Sequence, residues 1–238
     1  MARTVMTTEE AAPHLAKWRS NWPEWQVAEV FVPEHRRESA LAWATLLQEL
    51  TEAAWGGADP RPGEAKLGWW QEEFSGWTRG ARRHPLGAAL QRHPASWHAL
   101  AAALPALAAS RERPVDAADA FAAMAPFSSA AVRVEGIVLG GAAAPADEDT
   151  LSATLLYSRL ARFGDAAAPL SALAAGGDAS AAAAWADMLR GRWPVGRAST
   201  VERRLWATLA RTRLDRRDPL APLPPWRVLP IAWRAARR

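Results

Sequence analysis

The chain has 238 residues and a mass of 25.8 kDa, with 50% hydrophobic and 23% charged residues, which is length enough for a packed core and too much for a short independent module. It contains no cysteine, which excludes a disulfide framework, cysteine-ligated zinc, iron–sulfur clusters and thiol catalysis. The net charge of +4 is uneven: residues 1–80 hold 8 basic and 12 acidic side chains, residues 186–238 hold 13 and 4.

All basic residues except Lys17 and Lys66 are arginine, whose planar fork of donors suits phosphate groups. Diphosphate, nucleic acid and anionic lipid are all candidate partners of the basic C-terminal part, where Arg203, Arg204, Arg211, Arg213, Arg216 and Arg217 crowd together. A proteome-wide preference for alanine and arginine accounts for the same residues without any ligand. No run is expected to reach the ~18 apolar residues of a membrane-spanning helix. Residues 1–10 lack the apolar stretch of a secretory signal. The expectation is a cytoplasmic protein, at most peripheral to a membrane.

Helical periodicity dominates, and alternating apolar and polar runs are nearly absent, so the reading is all-α. After Pro33, the segment 38–55 places Trp43, Leu47, Leu50 and Ala54 on one face, and Gly56-Gly57 should end it. A second helix starts after Pro62-Gly63 and runs to 78, with Leu67, Trp70, Phe74 and Trp77 inward and Glu72 and Glu73 on the other side. His84-Pro85 opens a short helix with Leu86 and Leu90. Pro94 opens another with Trp97, Leu100, Leu104 and Leu107, which Pro105 should kink or shorten.

Asp116 is placed to cap a helix through Met124, with a bend at Pro126 before a further helical run to Leu139, stopped by Gly140-Gly141. Segment 147–163 carries Leu151, Leu155 and Arg159 on one stripe and Leu156, Leu160 and Phe163 on the next. Asp147, Glu148 and Asp149 suit its N-terminus. Residues 165–180 are mostly Ala, Gly and Ser and read as a hinge or loose connection. Residues 181–190 can be helical, and Ser199 with Glu202 forms a capping box before Leu205 and Leu209. Four prolines in 218–225 mark a linker. The last helix, 226–238, presents Trp226, Leu229 and Trp233 to one side and arginines to the other. Residues 1–214 are thus the helical domain, and 215–238 a linker with a basic amphipathic helix.

Serine-hydrolase, P-loop and dinucleotide motifs have no anchor in the chain. His84, His93 and His98 are too irregularly spaced for a metal-binding face. The 14 tryptophans, Trp69-Trp70 among them, have the faces to stack nucleobases, but at helical spacing they read as core, and nucleic acid is not the favoured partner.

Residues 31–92 resemble the squalene/phytoene synthase family, head-to-head prenyltransferases of the isoprenoid-synthase fold. The matching text is Phe31-Val-Pro-Glu-His-Arg-Arg37, Ala40-Leu-Ala-Trp-Ala-Thr-Leu-Leu-Gln-Glu-Leu50, Leu67-Gly-Trp-Trp-Gln-Glu-Glu-Phe74 and Arg83-His-Pro-Leu-Gly-Ala-Ala-Leu90. Residues 134–141 and 151–163 resemble later core helices of that family more loosely. The resemblance implies an all-α bundle around a central cavity, in which facing aspartate motifs hold magnesium against an allylic diphosphate.

The chain departs from that pattern at both motifs. The first is represented by Gln48-Glu49-Leu50-Thr51-Glu52, and an alternative alignment keyed on Glu49 puts Leu50, Thr51 and Ala54 at the metal positions. The second is represented by Tyr157-Ser-Arg-Leu-Ala-Arg-Phe-Gly-Asp165, with arginines where carboxylates belong. The candidate residues are therefore Gln48, Glu49 and Glu52 as first-motif remnant, Tyr157 and Asp165 as second-motif remnant, and Arg37, Arg159 and Arg162 for a diphosphate held without metal. Each also has a plainer reading: Glu49 and Glu52 as a solvated helix face, Arg159 and Arg162 as exposed or paired to Glu135, and Arg37 as part of the charged run 34–38. Magnesium is the implied cofactor only if catalysis survives, because guanidinium in place of carboxylate turns attraction for a cation into repulsion. The expected function is binding of a prenyl diphosphate or isoprenoid lipid with transferase activity weakened or lost. The alternatives are a non-catalytic assembly protein of the same fold, or binding of anionic membrane or nucleic acid through the C-terminal region.

Overall fold

The computed structural model describes residues 8–175, 180–216 and 218–237, and among these it contains twelve α-helices, two short 3-10 turns and no strand. The protein is all-α. Helix α1 (Thr8–Asn21) and the single turn α2 (Trp25–Ala28) lead through a 3-10 turn, Glu29–Phe31, into α3 (Glu34–Trp55). Then come α4 (Arg61–Trp77), the single turn α5 (Gly87–Leu90), α6 (Trp97–Ala109), α7 (Ala117–Leu139) and α8 (Pro145–Phe163). After a 3-10 turn, Gly164–Ala167, the chain forms α9 (Leu170–Ala175), α10 (Ala181–Gly191), α11 (Val201–Leu214) and α12 (Pro225–Arg237).

Helix α7 is the hub, packed against α3, α6 and α8, while α11 lies between α8 and α12, and α12 also rests on α2. Against expectation, α7 is long and apolar enough to cross a membrane, with a mean hydropathy of 1.3 over its most apolar window; 61% of that window is buried inside the protein, as a core helix should be. Ten of the 14 tryptophans are buried, which agrees with their reading as core.

The element ends follow local chemistry. Asp116 caps α7 by accepting from the Asp119 amide at 2.9 Å, and Asp119 returns a bond to the Val115 amide at 2.8 Å. Gly140 ends α7 in the left-handed conformation, φ +67°, which favours glycine. Gly63 is required for a different reason. A Cβ there would lie 2.1 Å from the Ala53 carbonyl oxygen, so only glycine lets α4 start against α3.

Several expectations are corrected. Pro105 does not shorten its helix, and α7 runs unbroken through Pro126 as one helix where the sequence predicts two runs. Each proline frees a carbonyl four residues back. For Pro105 the Ala101 carbonyl accepts from Gln71 Nε2 at 3.2 Å, and for Pro126 the carbonyl belongs to Ala122, on the exposed side. The cap of α11 is Thr200, which accepts from the Arg203 amide at 3.1 Å. Ser199 is instead held by Asp147, through its amide at 2.8 Å and its hydroxyl at 2.5 Å. Residues up to 175 of the supposed hinge are anchored, with the Leu170 and Ser171 amides donating to the Pro114 and Val115 carbonyls at 2.9 Å. Residues 176–179 of that segment, and Arg217, lie outside the described residues.

Glu73 is buried, whereas the sequence pattern predicts a polar side of α4 there. It accepts from Trp77 Nε1 and from the amides of Arg83 and His84 at 2.7–2.8 Å. Burial raises its carboxyl, but these bonds outweigh burial and hold it below the usual range. Next to it, His84 packs on Trp70 with ring centroids 4.6 Å apart and accepts from the Leu86 amide at 3.2 Å. Burial, with the like charge of His14, pushes His84 down to about 4.

A second charged group ties three helices together. Glu135 of α7 accepts from Trp43 Nε1 of α3 at 2.7 Å and from Arg203 Nε of α11 at 3.0 Å, and all three side chains are buried. Such a pair gives a weak net gain when intact and a large loss when one partner is removed. Glu135→Ala should therefore cost about 3–5 kcal/mol in urea unfolding, and a loss under ~1 kcal/mol would show that Arg203 finds other partners.

The histidine gives a pH prediction with a definite sign. The unfolded chain binds a proton at His84 near pH ~6.5, whereas the folded chain resists it until about 4, so this contribution is intact above the unfolded value and is lost as pH falls between the two. Thermal melts across that window should fall less steeply for His84→Asn, which keeps an acceptor for Leu86 but cannot titrate. Parallel profiles for both proteins would count against the assignment.

Candidate functional site

A cavity of about 370 Å³ opens between α1, α3, α8, α11 and the loop before α12. Its volume lies in the range of about 300–1,000 Å³ usual for small-molecule sites. Helices α3 and α8 are both packed on α7, and the space they leave is closed by α1 and α11. Four of the sequence candidates meet there: Gln48 and Glu52 from α3, Arg159 and Arg162 from α8.

Helical geometry explains the selection. Gln48 and Glu52 are four residues apart on α3, as are Ser158 and Arg162 on α8, so each pair presents one face, and both faces line the same cavity. Glu49 is turned about 100° away from Gln48 and does not line the cavity. It is buried beneath Lys66 Nζ at 2.5 Å and His14 Nδ1 at 3.3 Å. Burial raises its carboxyl, while Lys66, His14 and Lys17 together hold it below the usual range.

Glu52, the only carboxylate lining the cavity among the described residues, is bonded to both Lys17 of α1 and Arg162 of α8. Glu49 and Glu52 are thus not a solvated face. Gln48 accepts from Asn21 Nδ2 at 3.0 Å, which leaves its own Nε2 buried and unpartnered. Arg159 neither pairs with Glu135 nor reaches solvent. It donates to the carbonyls of Ser110 and Arg111 at 2.7 and 2.8 Å and lies 5.1 Å over the Trp55 ring. Burial, with Arg113 and Arg111 near, pulls it down to about 10, so it stays cationic at neutral pH.

The remaining candidates have other roles. Arg37 donates to the carbonyls of Val32 and Val30 at 3.0 and 3.3 Å and does not line the cavity. Asp165 accepts from the Ala182 amide at 2.7 Å, a second acceptor for the first turn of α10 beside its cap, Ser180. Tyr157 sits behind the wall, its ring 5.9 Å from Trp22 and its hydroxyl donating to the Pro219 carbonyl at 2.7 Å. Burial pushes that phenol up to about 12, which keeps it a donor.

The aromatic wall is a feature that the sequence motifs do not point to. Trp18 and Trp22 of the α1 corner meet Trp206 of α11, each at 5.8 Å between centroids, and the indole nitrogens of Trp18 and Trp206 are buried without an acceptor. The wall is fixed by a buried ion pair. Arg213 of α11 donates to Glu24 at 2.7 Å and to the Asn21 carbonyl at 3.1 Å, and its guanidinium lies 4.4 Å over Trp22. The Leu223 amide donates to the same Glu24 at 2.5 Å. The spacing of Trp18, Trp22 and Trp25 by four and three residues is the available signal.

The donor set does not suit a magnesium cluster. Hard divalent ions need several oxygen ligands, whereas the one carboxylate here is already taken by two cations, and the described residues contain no group of three or more metal-ligating side chains. What the arrangement suits is an amphiphile: aromatic and aliphatic walls for the tail, and a mouth where Lys17 and Arg162 outnumber Glu52 for an anionic head. Searches against protein-family models and curated proteins find no match.

The two glutamates should separate on mutation. Glu49→Gln should lower stability by about 1–3 kcal/mol, because it strips three charge-assisted contacts from a buried carboxylate. Glu52→Gln, at the open mouth, should lower it by less than about 1 kcal/mol. Chemical denaturation of both variants checks the order, and a reversed order would mean that Glu52 is the structural one.

Proposed function

We propose that the protein binds a prenyl diphosphate or isoprenoid lipid in this cavity without metal, as a catalytically degenerate relative of the squalene/phytoene synthases. The observation that carries this reading is the pairing of Gln48 and Glu52 with Ser158 and Arg162 across an aromatic-walled cavity, at the positions where the resemblance puts the two metal motifs. Lys17 and Arg162 supply charge that magnesium would otherwise bring. Arg162 offers a fork of donors to phosphate oxygens, and the unpartnered donors of Gln48, Trp18 and Trp206 are groups whose burial costs about 1–3 kcal/mol each until an acceptor arrives.

The charge balance supports binding over turnover. Ionising an allylic diphosphate requires cations that stabilise the departing group and walls that exclude water. Here Glu52 already neutralises part of the positive charge, and the mouth holds Arg162 with 43% of its side chain exposed.

Thermal shift with farnesyl or geranylgeranyl diphosphate is the test. The melting temperature should rise equally with and without magnesium, following mass action for a ligand of the native state, and no pyrophosphate should be released above a no-protein control. Arg162→Ala should weaken binding about ten-fold, the value of one charge-assisted contact, and Glu52→Gln should strengthen it by removing the competing anion. Flat melting curves under all conditions would retire the reading, and magnesium-dependent pyrophosphate release would replace it with an enzyme.

A further inference from the structure

The sequence pattern groups Trp226, Leu229 and Trp233 on one side of the last helix and the arginines on the other, and the natural expectation is that the apolar side packs inward. The structure places the reverse face inward. Val228, Ala232 and Ala235 are buried, while Trp226, Leu229 and Trp233 are 71%, 52% and 44% exposed. The small side chains let α12 lie close on α11, where Arg204 donates to the Ala235 carbonyl at 3.1 Å and so satisfies the helix end.

The outward face is therefore doubly unusual. Trp226 and Trp233 are the only tryptophans of the chain that are exposed, and both stand on the same helix with Leu229 between them, at steps of three and four residues. The arginines line up beside this strip. Arg227 and Arg234, seven residues apart, are exposed, Arg227 lies 4.9 Å over the Trp226 ring and Arg237 lies 4.2 Å over the Trp233 ring. The helix contains no acidic residue.

We infer that α12 is a docking surface for an anionic lipid bilayer, lying in the interface with Trp226, Leu229 and Trp233 among the headgroups and acyl boundary and the arginines against lipid phosphates. Tryptophan is the side chain that prefers that interface, and a helix bearing Trp and Leu beside arginine is the composition of surface-lying segments. Charge complementarity chooses the occupant: a strip with three arginines and no carboxylate meets a negatively charged membrane, whose attraction grows with each arginine near the surface. A nucleic-acid groove would use the arginines but has no use for Leu229. The inference stands on the helix face alone and does not need the cavity to hold a prenyl group.

Flotation of the full chain with vesicles tests it. The protein should float with phosphatidylcholine vesicles containing phosphatidylglycerol, stay behind with phosphatidylcholine alone, and be released by high salt. Two variants, Trp226→Glu with Trp233→Glu, and Arg227→Gln with Arg234→Gln, should each lower the bound fraction about ten-fold with an unchanged melting temperature, because all four side chains are exposed. Prenyl diphosphate thermal shifts should be unaffected in both, so failure of this inference and failure of the cavity reading are separable. Absence of flotation, equal flotation with neutral vesicles, or flotation that survives both variants would overturn the assignment. So would a dimer in light scattering that the tryptophan variant returns to monomer, or salt-sensitive retention on duplex DNA without flotation.

Discussion

The buried pair of Glu24 and Arg213 is the constraint on which the cavity rests. A carboxylate and a guanidinium withdrawn from water are tolerated only where hydrogen bonds occupy their remaining valences, and here those bonds come from three separated parts of the chain: the α1 corner through the Asn21 carbonyl, α11 through Arg213 itself, and the loop before α12 through the Leu223 amide. Each of these parts is a wall of the cavity. The Trp22 ring is held flat beneath the guanidinium and cannot swing inward to fill the space. The walls of the hollow are pinned by polar contacts in which two of its own lining residues, Asn21 and Arg213, take part.

Charge decides what the hollow can hold. Two like charges at about 4 Å repel by roughly 4 kcal/mol at a surface-like dielectric, so facing carboxylates need metal ions before they can accept a diphosphate. In this chain the two faces carry Glu52 on one and Arg162 on the other, with Lys17 completing the pairing. Glu52 is thus compensated in the absence of any ion. With Arg159, a cation that lines the cavity and is held by carbonyls alone, the excess over Glu52 is two cations, which is enough to orient an anionic head.

The fold class is legible because helix formation writes a 3.6-residue period that needs no tertiary information, and the cap at Asp116 and the stop at Gly140 are legible for the same local reason. Burial of Glu73 is not, because its partners are backbone amides of a loop ten residues on. Nor is the rescue of Pro105, which depends on Gln71 of another helix. The candidate site divides in the same way. The i, i+4 pairing of Gln48 with Glu52 can be read from one helix, but the partners that define their chemistry come from Lys17 and Arg162, and Arg213 reaches Glu24 across 189 positions. The inward face of α12 escapes a reading by hydrophobicity because side-chain size decides which side can approach α11.

Leu223 offers one of the two groups that satisfy a single oxygen of Glu24, although it stands 199 positions away in the chain. A protease that clipped the loop between α11 and α12 would remove that amide, uncover the flank of α11 and loosen the corner that carries Trp22. The α1 corner and the loop before α12 therefore share one fate, and an antibody or tag that displaces α12 would be felt first at that corner.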